Sequence, residues 1–559
     1  MKRDLAQITG KQHDVLIIGG GIYGICAAWE AALRGLSVAL VEKGDFGSAT
    51  SSNSLKIIHG GLRYLQHADF RRMRESISER RTLMRIAPHL VHPLPCLMPT
   101  YGHALKGKEI MALALLLNDL IGFDRNGLAD PQKFMPRGRV LSKDECKQLI
   151  PGVDEEGLSG GALWYDCQVY NTERMLISIL RSAVEAGAVV ANYVEMLGFK
   201  KNGDRVTGIV AKDTLSGDEF DITAKLVINN TGPWVNIILS KLDGRLAEPR
   251  VKLSAAMNLV VRKQLNPKYA VGIWSKSQFK DEDALISKGS RLLFVTPWRD
   301  YSLVGTTHIP YQGDTEQFKI TEKNITAFMQ EVNEAYPAAK LRREDVTYFY
   351  GGLLPIDGYN HQTGDVKLLK HYQIIDHKKE DNVEGLISVI SVKYTTARDV
   401  ATKTIDYAFH KLGNKAPKSQ TSVTPIFGGN IEQFEDFLHQ EKSKAPKGLN
   451  ERIITQLVYN YGSEYHRILN LCDENPEWGD PLHDTSQVLK AEVLNAIRDE
   501  MALKLSDVVF RRTELGSAGN PGDESLKSCA TIMATELGWD KARVQKELEE
   551  VRNVYSLSP

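Results

Sequence analysis

Three glycines spaced as G-x-G-x-x-G, Gly19, Gly21 and Gly24, and a later carboxylate, Glu42, form a set whose chemistry is the grip on a dinucleotide. The first glycine permits a tight turn. The second lets the backbone approach a pyrophosphate, and the third lets a helix close on a strand. A carboxylate at the place of Glu42 accepts hydrogen bonds from both ribose hydroxyls of an adenosine. The flanking residues supply the elements this set requires. Residues 15–18 are a continuous apolar run, as in a strand buried on both faces. Residues 22–33 are rich in Ala and suit a helix whose N-terminus attracts phosphate, and Arg34-Gly35 ends it. Residues 37–41 make a second apolar strand with Glu42 at its end. A glycine motif alone is a weak signal. Strand, glycines, helix, strand and terminal acid together are a specific one.

The next stretch, residues 44–59, has little apolar periodicity and many small polar residues: Ser48, Thr50, Ser51, Ser52, Asn53 and Ser54. It leads into His59-Gly60-Gly61-Leu62-Arg63-Tyr64-Leu65. Here the chain resembles the FAD-dependent glycerol-3-phosphate dehydrogenases and oxidases. In that family an Ala-Thr-Ser-Ser run, a Lys and a His-Gly-Gly-Leu-Arg-Tyr-Leu run line flavin and substrate. The matching residues are Ala49-Thr50-Ser51-Ser52, Lys56 and residues 59–65. The match continues at Asn230-Thr231-Gly232-Pro233-Trp234, Pro297-Trp298 and Gly305-Thr306-Thr307. It reaches Ala491-Glu492-Val493 and Arg511-Arg512-Thr513, so it covers nearly the whole chain.

The resemblance implies tightly held, non-covalent FAD and oxidation of a secondary alcohol. A hydride would pass to flavin N5, and the proton needs a base with a pKa near the working pH, which a histidine provides unshifted. His59 is the candidate. Arg63 would orient the substrate or hold its anionic group, and Tyr64 would donate a hydrogen bond. Lys393 and Arg398 lie where the family carries positive charge around flavin and substrate, and a cation there stabilises the anionic reduced flavin. Thr231, Gly232 and Thr395 are further cofactor candidates, because a strand entering the turn at 231–232 and the strand-to-helix junction near 395 pack against the cofactor in this family. His308, His361, His371 and His377 carry no local signal that separates them from solvated loop histidines.

The sequence departs from the family pattern in its substrate half. Leu354 stands in Gly352-Leu353-Leu354-Pro355 where the family has a phosphate-binding Arg. Ala255-Ala256-Met257-Asn258 replaces Lys-Gly-Ser-His, Ser391-Val392-Lys393 replaces Gly-Gly-Lys, and Tyr170-Asn171 replaces Asp-Asp. A buried phosphate without cationic partners is costly. Either other cations substitute, with Arg63, Lys252, Arg342, Arg343 and Arg398 as candidates, or the substrate differs. Three readings stand: oxidation of glycerol 3-phosphate with quinone or oxygen as acceptor, the same chemistry on another polyol phosphate or 2-hydroxy acid, and a flavin-binding subunit without turnover.

Composition narrows the class. Lys plus Arg and Asp plus Glu both number 70 in 559 residues, which gives no reason to expect nucleic acid. There is no H-E-x-x-H motif and no metal site is expected, and a hydrolase or a transferase finds no support. The six cysteines form no C-x-x-C pair and suit a reducing cytoplasm. Residues 1–13 lack an apolar signal core. The longest apolar run, residues 110–117, is short of the roughly 20 residues that span a bilayer. With Lys106 and Lys108 before it and Arg125 after, it reads first as a buried helix and second as a helix at a membrane surface. The Arg-rich helix at 69–86 reads as a solvated face, with lipid contact as the sharper account. The sequence leaves room for a homodimer and for a peripheral place on the inner face of the cytoplasmic membrane.

The expected fold is α/β. A Rossmann-type FAD domain and a β-rich substrate domain, of the glutathione-reductase-like or DAO type, are interleaved over residues 1–425. The FAD part takes about 14–100, 155–245 and 350–412, and the substrate roof about 100–155 and 250–350. Residues 426–559 are expected to form an all-helical C-terminal domain, with helices near 451–461, 488–501, 525–537 and 541–554.

Overall fold

The computed structural model describes residues 1–102, 107–242, 249–276, 291–360, 365–446 and 448–556, without the side chains of Arg63 and Gln66. Lys106 and His361 lie outside the described residues.

The glycine motif opens an eight-stranded sheet. Its path runs Gln373–Asp376, Leu386–Ile390, Glu219–Asn229, His13–Ile18, Val38–Val41, Val189–Ala191. The inner pairs are parallel, with Val15 opposite both Leu226 and Val38. Alternation along the first strand divides two cores. Val15 and Ile17 face the helices Ile22–Leu33, Thr172–Glu185 and Ala397–Lys411. Leu16 and Ile18 face the layer of Val194–Asn202 and Arg205–Asp213. Burial on both sides explains why residues 15–18 are all apolar.

A ten-stranded sheet forms the roof, in the order Val366–Leu368, Val346–Tyr359, Lys252–Val261, Tyr301–Tyr311, Leu292–Trp298, Ala270–Trp274, Val91–Tyr101, Leu158–Val169, Ile57–Ile58, with Arg139–Leu141 off this path. The strand Leu158–Val169 lies in a stretch expected in the FAD part. It joins the roof because it pairs with Val91–Tyr101 from Val169 opposite Val91 to Leu158 opposite Tyr101. Ile57–Ile58 joins the same edge, so the polar segment after Glu42 carries the chain from one sheet to the other.

Beyond residue 430 the regular elements are helical, from Phe434–Ser443 to Lys541–Tyr555, around two apolar clusters. This region is tied to the first sheet's helices by a buried ion pair, Arg174 to Glu500, at 2.6 and 2.9 Å.

Two helices depart from expectation. The helix Lys108–Ile121 is not buried: Leu113, Leu116 and Leu120 are 51%, 56% and 62% exposed. It is apolar on more than one side, so packing one face leaves another uncovered. The helix Phe70–Ile86 is not a solvated arginine face. Arg72 and Arg80 are buried, and Arg74 and Arg81 both pair with Asp124.

Candidate active site

A continuous cavity of about 1240 Å³ runs between the two sheets, larger than the roughly 300–1,000 Å³ of a site for one drug-sized ligand. One end is the glycine turn. Gly19 has φ of +108°, and a Cβ there would lie 2.7 Å from the Asn230 carbonyl oxygen. A Cβ on Gly24 would fall 1.9 Å from the Gly19 oxygen, so the helix cannot close on the turn with any larger residue. Gly19, Gly21, Thr231 and Gly232 line the cavity, whereas Gly24 lies behind them. Glu42 also lines it, accepting hydrogen bonds from the N–H of Gly20 at 2.7 Å and of Gly44 at 2.9 Å. Burial pushes its carboxyl pKa up, and the two N–H groups pull it back. Backbone packed this tightly beside a buried carboxylate is a cradle for pyrophosphate and ribose.

The polar segment divides. Thr50 and Ser51 line the cavity: Thr50 Oγ1 donates to the Leu353 oxygen at 2.7 Å, and Ser51 Oγ accepts from the Ile22 N–H at 2.9 Å. Ser52 does not reach the cavity, because its hydroxyl turns inward to the Gly47 oxygen at 2.8 Å. Lys56 also leaves the cofactor set. Its ammonium is fully buried against Thr172 at 2.8 Å and both Glu173 oxygens at 2.9 and 2.8 Å, with the Tyr350 ring 4.5 Å away. A lysine neutralised in this way holds sheet and helix together rather than a ligand. Thr395 is buried beside the cavity, and its neighbours Lys393 and Tyr394 form the wall.

His59 stands on the cavity wall with its Nδ1 3.2 Å from Asp166 Oδ2. Asp166 also accepts from the Gly60 N–H at 2.6 Å and from Arg80 at 2.8 Å. Burial pushes the Asp166 carboxyl up, but His59, Arg80 and the Gly60 N–H outweigh it and hold the pKa down at about 2. Gly60 is required here, because a Cβ would sit 2.2 Å from the Arg80 guanidinium. The Phe294 ring tilts against the imidazole at 5.6 Å.

Tyr64 lines the cavity between two cations, the Arg72 guanidinium at 4.3 Å and the Lys393 ammonium at 4.5 Å from its ring centre. Burial lowers the Lys393 pKa, with Tyr64 opposing. The Arg63 side chain lies outside what the structure describes.

Arg72 also pairs with Asp69 at 3.3 Å, and the other cation candidates are engaged away from the cavity. Arg398 forms a buried double contact with Glu79, Arg343 pairs with Glu322 and Arg342 with Glu344. Lys252 is absent from the cavity wall, whereas Leu354 and Asn258 are on it. His308 lines the cavity. His371 is exposed near Asp69. His377 is not a solvated loop residue. It is fully buried, bonded to Asp381 and, at 2.8 Å, to Ser388.

Asp166, Arg80 and Arg72 are the site residues that sequence reading missed. The register offers one signal: Ile58 pairs with Cys167, so the next position along each strand sets residue 59 opposite 166.

A cradle for a dinucleotide at one end of a cavity and a carboxylate-held histidine at the other define a flavin-dependent oxidoreductase of the two-sheet type. Residues 14–377 match the family described as FAD dependent oxidoreductase, and residues 419–544 match the C-terminal domain of alpha-glycerophosphate oxidase. The chain is 33% identical to a glycerol-3-phosphate dehydrogenase of Synechocystis sp., covering 98% of this chain and 97% of the relative. It is 31% identical to the mitochondrial glycerol-3-phosphate dehydrogenase of Homo sapiens over 97% of this chain and 73% of that one. The FAD-complexed glycerol-3-phosphate dehydrogenase of Bacillus halodurans superposes with a TM-score of 0.76 at 25% identity, covering 98% of this chain and 96% of the other. The chain belongs to the FAD-dependent oxidoreductase family, among the glycerol-3-phosphate dehydrogenases. Its cofactor is FAD, and Gly19, Gly21, Glu42, Ser51 and Thr231 line the cavity.

Proposed function

We propose that this chain oxidises sn-glycerol 3-phosphate to dihydroxyacetone phosphate and passes the electrons to a membrane quinone. The observation that carries the reading is His59 on the cavity wall, held by Asp166. An ionised carboxylate only accepts hydrogen bonds, so His59 Nδ1 carries a proton and, in the neutral ring, Nε2 keeps the lone pair. That nitrogen would take the proton of the substrate hydroxyl. FAD, when bound, would supply the acceptor for the hydride from the carbon that bears this hydroxyl. Arg72 and Lys393, on either side of Tyr64, suit the phosphate where Leu354 replaces an arginine.

The acceptor reading rests on the Lys108–Ile121 helix. Ile110, Met111 and Ala114 line the cavity, while Leu113, Leu116 and Leu120 face outward with Phe123 just beyond, 79% exposed. No helix among the described residues is long and apolar enough to cross a membrane. An apolar helix face of this kind suits a peripheral seat in the bilayer interface, where a hydrophobic acceptor would reside.

Leu354 on the wall favours a second reading, the same chemistry on another polyol phosphate or a 2-hydroxy acid. Anaerobic stopped-flow absorbance of the flavin, with glycerol 3-phosphate and glycerol side by side, tests the first. Rapid bleaching by glycerol 3-phosphate alone is expected. No bleaching by either, with FAD bound, moves the assignment to the second reading.

A further inference from the structure

The Arg511-Arg512-Thr513 motif lies far from the cavity in sequence and has no part in the chemistry above. Both arginines nevertheless end on Asp45, three residues after Glu42. Arg512 grips the Asp45 carboxylate in a fork, at 2.8 Å to Oδ2 and 2.7 Å to Oδ1. Arg511 Nε reaches Oδ2 at 2.5 Å, and the Asn192 amide donates to Oδ1 at 3.0 Å. Asp45 and Arg512 are almost fully buried. The two arginines are balanced by Asp45 and by Asp507, which accepts from Arg511 at 2.8 Å and from the Tyr193 hydroxyl at 2.7 Å. The guanidinium groups hold the Asp45 carboxyl well below its ordinary range, outweighing burial.

The bonds around this cluster lead to the adenosine end of the cavity. The Glu42 N–H donates to the Ala191 oxygen at 3.0 Å, and the Val194 N–H donates to the Glu42 oxygen at 2.8 Å. The Tyr193 N–H donates to the Gly44 oxygen at 2.9 Å. Residues 42–45 and 191–194 are therefore laced together. Asn192 is pinned in turn to the Met501 oxygen at 3.0 Å, and Arg512 Nε to the Glu500 oxygen at 3.0 Å. Glu42, Lys43, Gly44, Val194 and Glu195 all line the cavity.

We propose that the helical C-terminal region is part of the cofactor site: Arg511 and Arg512, through Asp45, set the position of Glu42 and so the affinity for the adenosine half of FAD. They are positioning residues and touch neither flavin nor substrate. A planar fork on a buried carboxylate defines orientation as well as distance, which a lysine cannot reproduce. Glu42 must be placed to within a fraction of an ångström to accept from two ribose hydroxyls at once.

The test is a double-mutant cycle on the full chain, read by FAD dissociation constants from flavin fluorescence on titrating the apoprotein. Asp45→Asn and Arg512→Lys are each made alone and in a Glu42→Gln background. The apoprotein's thermal midpoint is recorded for every variant. Each single change is expected to weaken FAD by about tenfold or more, the scale of a charge-assisted bond. In the Glu42→Gln background the same changes are expected to cost less than about twofold, because the group they position is gone. Equal losses of FAD affinity in both backgrounds, or unchanged affinity with a lowered thermal midpoint, would reduce the cluster to a structural tie and overturn the proposal. Arg512→Lys keeps a cation in the cluster, so a misfolded Asp45→Asn protein still leaves the cycle measurable.

Discussion

His59 Nδ1 lies 3.2 Å from Asp166 Oδ2, across a gap of 107 residues in sequence. That contact fixes which imidazole nitrogen faces the cavity. Asp166→Asn removes the charge that selects the tautomer and leaves the buried Arg80 without its partner. Flavin bleaching by substrate should slow by about a hundredfold or more, with FAD content unchanged. A variant that bleaches at the wild-type rate would remove Asp166 from the proton path.

His59→Gln should slow the same half-reaction at least as much, again with FAD retained. The two losses should not add, because both variants disable one unit. Single-turnover stopped-flow on the double variant checks this.

Arg72→Met and Lys393→Met test the anion end. Each removes a cation beside Tyr64, and KM for glycerol 3-phosphate should rise about tenfold or more. The turnover number at saturating substrate should change little. A lowered turnover number with KM unchanged would place the cations elsewhere in the mechanism.

The outward leucines can be changed without touching the cavity wall. Replacing Leu113, Leu116 and Leu120 by Ser should release the protein from anionic lipid vesicles in a flotation assay. Electron transfer to a vesicle-bound quinone should fall, while reduction of a water-soluble dye stays near wild type. Unchanged flotation would rule out this helix as the membrane contact.

Glu492 gives a pH prediction. Its carboxyl is fully buried and accepts from Leu489 N–H at 2.9 Å and from Gln456 and Tyr461 at 3.0 Å. Burial raises its pKa to about 7, against about 4.3 in the unfolded chain. Between these values the folded protein binds the extra proton, so this group's contribution falls as pH rises through that window. Glu492→Gln should therefore raise the thermal midpoint at pH 8 by a few degrees and give almost no gain near pH 4. Calorimetry at the two pH values decides it.

The cofactor end was readable from the sequence because its parts are contiguous. Strand, turn, helix, strand and acid all fall within residues 13–42, and each depends on its immediate neighbours. The reacting end was readable only in part. His59 sits in a recognisable run, but Asp166 and Arg80 reach it through pairing of Ile57–Ile58 with a strand more than a hundred residues later. Lys56 looked like a cofactor ligand because it lies between two cofactor motifs. Its backbone is left-handed, with φ of 58°, and its side chain runs to Glu173 instead. Arg398 was misread for a similar reason, since no local feature reveals Glu79 as its partner. The link from Arg512 to Asp45 spans 467 residues and has no local signature.

The order of the first sheet also bears on the chain's life at the ribosome. The strand His13–Ile18 is made well before its neighbour Glu219–Asn229 and the next strand, Leu386–Ile390. At about 5–20 residues per second, the glycine turn waits roughly 20–75 seconds for the sheet that completes it. For roughly the first 10–40 seconds of that interval, until Glu219–Asn229 is made, the first strand has an open edge. The complete sheet around the glycine turn therefore exists only once Leu386–Ile390 has been made.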